Sequence, residues 1–117
     1  MEFIELHGIF NILAFISIVV ALLQARKHRM KVHHILVSLT LVFMTFAVFF
    51  MLAISGGFKN SHCVIGFVIY LFALLVLISG FLFKGRKIKR NVHKTLGIVA
   101  AALLLAQIVW GIALSAL

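Results

Sequence analysis

Histidine is the residue type in this chain best suited to bind a metal or relay a proton, and it recurs at a regular place. His7, the adjacent pair His33 and His34, His62 and His93 each stand near the start of a long apolar run, while His28 falls between two runs. Neutral imidazole is the commonest protein metal ligand, and the hydrogen bond made by one ring nitrogen decides whether the other has a lone pair to offer. Other chemistry is poorly supplied. The only acids are Glu2 and Glu5, and the single cysteine, Cys63, has no intrachain partner for a disulfide.

The elements that must position these histidines are apolar enough to need lipid as their solvent. Of 117 residues, 65% are hydrophobic and 11% charged, with a mean hydropathy of +1.28. No soluble domain of this length could bury such a composition. Apolar runs cover positions 3–24, 32–54, 62–83 and 92–117, and each reaches the roughly 20 residues that a helix needs to cross a bilayer. The expected fold is an all-α membrane protein, a single four-helix transmembrane bundle spanning 1–117 and built from two repeated helical hairpins. The first run reads as a retained span: acids precede it and basic residues close it, unlike a signal peptide.

The formal charge of +9 is distributed by loop. Arg26, Lys27, Arg29 and Lys31 fill the first loop and Lys84, Arg86, Lys87, Lys89 and Arg90 the third, whereas the second has only Lys59. Basic loops mark the cytoplasmic side, so both termini are expected on the extracytoplasmic side. The basicity is thereby assigned to topology, and nucleic acid is not expected as a partner.

Alternating helix directions bring His7 and His62 to one membrane level, and His33 or His34 with His93 to the other. Residues four on from His7, His34, His62 and His93 are Asn11, Ser38, Gly66 and Gly97, small or modest in size and on the histidine face. The same step from His33 gives Val37, which selects His34 as the ligand on the second helix. Eighteen on from His7, His62 and His93 come Ala25, Gly80 and Gly111, again on the histidine face but at the opposite end of the membrane. Such stripes serve close helix packing, and they also leave room for a flat macrocycle. Two imidazoles at each level suit a haem iron with both axial positions filled, a state fit for electron transfer. Zinc would need three or four ligands together. Without a C-x-x-C-H motif any haem is held non-covalently.

In order and spacing these features resemble the transmembrane core of the cytochrome b561 superfamily, especially the type associated with DOMON domains and ferric reductases. The resemblance runs from His7 to Gly111, on H-G-x-x-N at 7–11, the Ala25–Arg26 helix end, K-V-x-H at 31–34, H-x-x-x-G at 62–66, and H-x-x-x-G at 93–97 with Gln107 and Gly111 following. It implies two b-type haems, His7 and His62 holding the outer iron and His34 and His93 the inner one. It also implies a transmembrane oxidoreductase or electron carrier that moves electrons from a cytoplasmic-side reductant, ascorbate or quinol, to an opposite-side acceptor such as ferric iron. Many members read H-S-W where this chain has His62-Cys63-Val64, which keeps quinol open beside ascorbate. Lys31, Arg90 and Lys94 flank the inner pair and are candidates to contact haem propionates or an anionic reductant.

Other functions remain to be weighed. A haem-bearing anchor subunit for quinone-linked electron transfer would carry fewer haems per chain. A small transporter would ordinarily place a carboxylate within the membrane, and a structural membrane protein would make the histidine pattern accidental. A homodimer is compatible with any of these.

Overall fold

The apolar runs form helices that extend one to two residues past the expected bounds at their basic ends: α1 (Phe3–Arg26), α2 (Met30–Ser55), α3 (Ser61–Lys84) and α4 (Arg90–Ala116). The added residues include Arg26, Lys31, Lys84 and Arg90, whose side chains are exposed at that end of the bundle. The computed structural model describes residues 2–57 and 60–116; Lys59, the basic residue of the second loop, and position 117, the expected last residue of the fourth run, lie outside them. All four helices have the length and composition to cross a membrane. The chain is an integral, multi-pass, all-α four-helix bundle, as its hydropathy requires.

Local chemistry sets the helix ends. Asn60 caps α3 by accepting the Cys63 N–H at 2.9 Å, and the Glu5 carboxylate accepts the Glu2 N–H at 3.3 Å beside the start of α1. α2 stops at Gly56, whose φ of 66° places it in the left-handed region where a side chain would be strained. The two basic turns are built alike. His28 (φ 57°) follows α1 and Arg86 (φ 60°) follows α3, with Arg29 N–H bonded back to Gln24 O at 2.9 Å and Lys87 N–H to Leu82 O at 2.8 Å. The repeat seen in the sequence therefore extends to the backbone of its turns.

Each hairpin packs its two helices together, and the contacts of α1 with α4 and of α2 with α3 close the ring. α1 and α3 thus face each other across one diagonal, α2 and α4 across the other. The bundle measures 44 × 23 × 20 Å. We call the end with the two basic turns the basic end, and the opposite end the terminal end.

One residue from each helix makes the midpoint core: Ala14, Met44, Ile69 and Leu104. Large apolar side chains such as Phe49, Leu75 and Phe81 are instead exposed on the outside. Lipid tails are as apolar as these side chains, so the bundle is held by close packing of small residues and by polar contacts between helices. Hydroxyls along the helices bond to carbonyls of the preceding turn, as Thr40 does to Leu36 O at 2.8 Å, and so are satisfied without water.

Leu104 is the largest fully buried side chain. Leu104→Ala should lower unfolding stability by about 2–4 kcal/mol through the cavity it leaves, measured by denaturation in detergent micelles. Leu75→Ala, on the lipid face, should change it little.

Candidate functional site

The diagonal geometry brings four of the histidines together in two pairs, each joining one helix of the first hairpin to one of the second. At the terminal end the rings of His7 (α1) and His62 (α3) lie 6.5 Å apart between centres, with planes at 77°. At the basic end His33 (α2) and His93 (α4) lie 6.4 Å apart, at 89°. One arrangement thus occurs twice, on opposite diagonals. Along α2, the step from His33 to Ala47, which touches His7, is a rise of roughly 21 Å, so the pairs occupy separate membrane levels.

The basic-end pair corrects the choice made on helix two. His33 is buried and His34 is exposed; their rings are 5.6 Å apart, but only His33 reaches the bundle interior. The buried face of α2 is His33, Thr40, Met44, Ala47 and Met51, a regular helical stripe. Ser38, the small residue that favoured His34, bonds to His34 O at 3.0 Å on the exposed face. Its size records nothing about the interior, and bulkier Val37 does not obstruct His33.

Each imidazole is anchored by the other helix of its own hairpin. His7 Nδ1–H donates to Ala47 O at 2.7 Å, and His33 Nδ1–H donates to Ala21 O at 2.8 Å. Carbonyls only accept, so both rings carry their proton on Nδ1 and keep the Nε2 lone pair. In the second hairpin Ser79 Oγ lies 2.8 Å from His93 Nδ1. Ser79 gives its own proton to Val76 O at 2.6 Å, which makes it the acceptor for His93 Nδ1–H. The fourth anchor differs. The Gln107 amide nitrogen donates to His62 O at 2.8 Å and stands 3.1 Å from His62 Nδ1 and 3.4 Å from its Nε2. Ala21, Ala47 and Ser79 were missed by the sequence reading, and Gln107 entered it only as an element of the family resemblance.

The small-residue stripes take on specific roles. A Cβ at Gly80 would come within 3.1 Å of His93 Cε1, and one at Gly111 within 3.2 Å of His62 Cε1. These glycines make room for the imidazole of the neighbouring helix. Gly66 makes room for Gln107, whose amide nitrogen would lie 2.8 Å from a Cβ there, whereas Gly97 meets only Leu22 at 3.5 Å in ordinary helix packing. Ala25 is half-buried and Asn11 bonds to His7 Nε2 at 3.2 Å. Aromatic rings complete the walls: Phe83 stacks on His93 at 6.0 Å and Trp110 meets His62 edge-on at 5.3 Å.

A cavity of about 390 Å³ opens beside the terminal-end pair, with His7, His62, Asn11 and Gln107 on its walls and Met44, Ile69 and Leu104 toward the bundle centre. Lys31, Arg90 and Lys94 are exposed at the other end, in the opening turns of the helices that carry His33 and His93. Cys63 is buried. His28 is exposed in its turn.

Two imidazoles bonded to one iron at about 2.0 Å each would stand with ring centres roughly 6.3 Å apart. Both observed pairs have that spacing, so the residues present fit bis-imidazole ligation. Among the described residues no three or more His, Cys, Asp or Glu side chains come together as a metal site; the candidate ligands come in twos. Searches against protein-family models, curated proteins and solved structures gave no match.

Gly80→Ala should displace the His93 ring while leaving His62 in place, and Gly111→Ala should do the reverse. The imidazole resonances of selectively labelled protein report this directly, and each overpacked variant should lose about 1–3 kcal/mol of stability.

Proposed function

We propose that the two imidazole pairs are the axial ligands of two non-covalent b-type haems, His7 with His62 at the terminal end and His33 with His93 at the basic end. The bundle then passes electrons between the two membrane faces, in the manner of the cytochrome b561 superfamily that its motifs resemble. The observation that carries this reading is the recurrence of one perpendicular imidazole pair on both diagonals. A bound haem supplies a one-electron couple, and filled axial positions suit it to electron transfer.

The protein's own residues hold and insulate the sites. Nδ1–H bonds to Ala21, Ala47 and Ser79 fix ring orientation and leave Nε2 as the donor atom, the arrangement that also raises ligand basicity. Ala14, Met44, Ile69 and Leu104, with Phe15, Phe43 and Tyr70 packed against them, keep water out between the two levels. The basic turns face the cytoplasm under the positive-inside rule, which puts both termini on the extracytoplasmic side. Lys31, Arg90 and Lys94 then flank the cytoplasmic level, where they would neutralise propionates or attract an anionic reductant. The electron source is ascorbate or a quinol, and the acceptor ferric iron or a similar species.

Purified protein should show a low-spin b-type difference spectrum with two haems per chain. His7→Ala or His62→Ala should each leave one haem, as should His33→Ala or His93→Ala, while His34→Ala keeps both. Colourless protein from haem-replete cells, or loss of the basic-end haem on removing His34 but not His33, would overturn the assignment. Tags at both termini should be cut by protease added outside intact cells; protection of both would invert the two faces.

A further inference from the structure

The two levels present their ligands differently. At the basic end both rings have an acceptor on Nδ1, and among the described residues no hydrogen bond is made to Nε2 of His33 or His93. The rings stand ready in the tautomer that ligation requires.

At the terminal end both rings are covered by carboxamide donors. Asn11 Nδ2 lies 3.2 Å from His7 Nε2 and is tied to His7 O at 3.1 Å. The Gln107 amide nitrogen lies within 3.4 Å of both nitrogens of His62 and fills the space over Gly66. An amide nitrogen only donates, so Asn11 covers the Nε2 lone pair of His7, and Gln107, nearer Nδ1 of His62 than Nε2, leaves the ring proton to Nε2, the nitrogen that iron would need free. Gln107 is 8% exposed and its Oε1 is buried with no hydrogen-bond partner. A buried acceptor left unmatched carries a desolvation penalty, and this one belongs to a side chain on the wall of the cavity.

We infer that Asn11 and Gln107 are occluding amides that make the terminal-end site the weaker and later of the two to bind haem, while Ser79 preorganises the basic-end site. Resting on the haem reading above, this names the residues that regulate loading of the same sites. For haem to bind at the terminal end, both amides turn aside. The Gln107 rotation also gives its Oε1 the chance to accept His62 Nδ1–H, which converts His62 to the tautomer already held at the other three histidines.

The test is a hemin titration of the full chain, purified from haem-starved cells into lipid nanodiscs and followed by the low-spin absorbance. His7→Ala and His33→Ala assign the two binding phases. The wild-type protein should bind first and more tightly at the basic end. Gln107→Ala and Asn11→Ala should each tighten the terminal-end phase by about tenfold, the value of a hydrogen bond or two no longer broken on binding. Gln107→Leu, which keeps most of the bulk and removes the donor, should act in the same direction. Ser79→Ala should weaken the basic-end phase alone. General damage to the fold would weaken binding in every variant, so the opposite signs identify the mechanism, and an unchanged basic-end phase certifies that the amide variants are folded.

Equal wild-type affinities, or a terminal-end phase that Gln107→Ala and Asn11→Ala leave unchanged, would overturn this inference and leave the dihaem assignment standing. Failure of the wild-type chain to bind any hemin would overturn both.

Discussion

An imidazole in a lipid-solvated bundle must have its N–H satisfied by protein, because no water is at hand to do it. Much of the architecture follows from that constraint. For three of the four paired histidines the answer is an acceptor on the other helix of the same hairpin, Ala47 O, Ala21 O or Ser79 Oγ. Those bonds require the helices to approach closely, which requires Ala21 and Ala47 at the contacts in one hairpin and Gly80 and Gly111 beside the rings in the other. With the rings held inside each hairpin, their free edges become the surfaces through which the two hairpins meet. The pairs His7–His62 and His33–His93 follow from that meeting.

The fold was legible because its cause is compositional. Four apolar runs separated by basic or glycine-containing turns have few alternatives in lipid, and even the repeat of the basic turns could be seen in the residue types. Counting helix directions also put each of the five helix-borne histidines at the end of the bundle where it is found. The choice between His33 and His34 was not legible from a single step of four residues, because Ser38 is equally at home on an outward face. A longer step carried the information. Fourteen on from His7 is Ala21 and fourteen on from His33 is Ala47, whereas the same step from His34 gives Val48. The anchors Ser79 and Gln107 lie on neighbouring helices, and their contacts depend on the axial register and rotation of α3 against α4. Those are properties of tertiary packing, so periodicity along one helix does not encode them.

The two membrane levels are related by the repeat yet differ in chemistry. Both use one histidine from each hairpin, and the first hairpin supplies each with a carbonyl-anchored ring. The second hairpin breaks the equivalence, with a hydroxyl at the basic end and a carboxamide at the terminal end. Asn11 adds a second carboxamide to the same side. Duplicated geometry with altered polar partners can give two otherwise similar centres different properties while the backbone is conserved between them.

The confinement of each histidine's anchor to its own hairpin also bears on how the chain is made. Helical hairpins can enter a bilayer as units and pack afterwards, and a polar group that enters unsatisfied is costly. Here the first hairpin contains carbonyl acceptors for His7 and His33, and the second contains Ser79 as acceptor for His93 and Gln107 as a donor against His62. The ring N–H groups of His7, His33 and His93 are thus satisfied within their own halves, whereas the Tyr70 hydroxyl meets Thr45 only when the halves come together. During synthesis the first hairpin can therefore hold its two imidazoles in hydrocarbon while the second is still emerging. Assembly then joins the two halves, and the imidazole pairs come into being at that step.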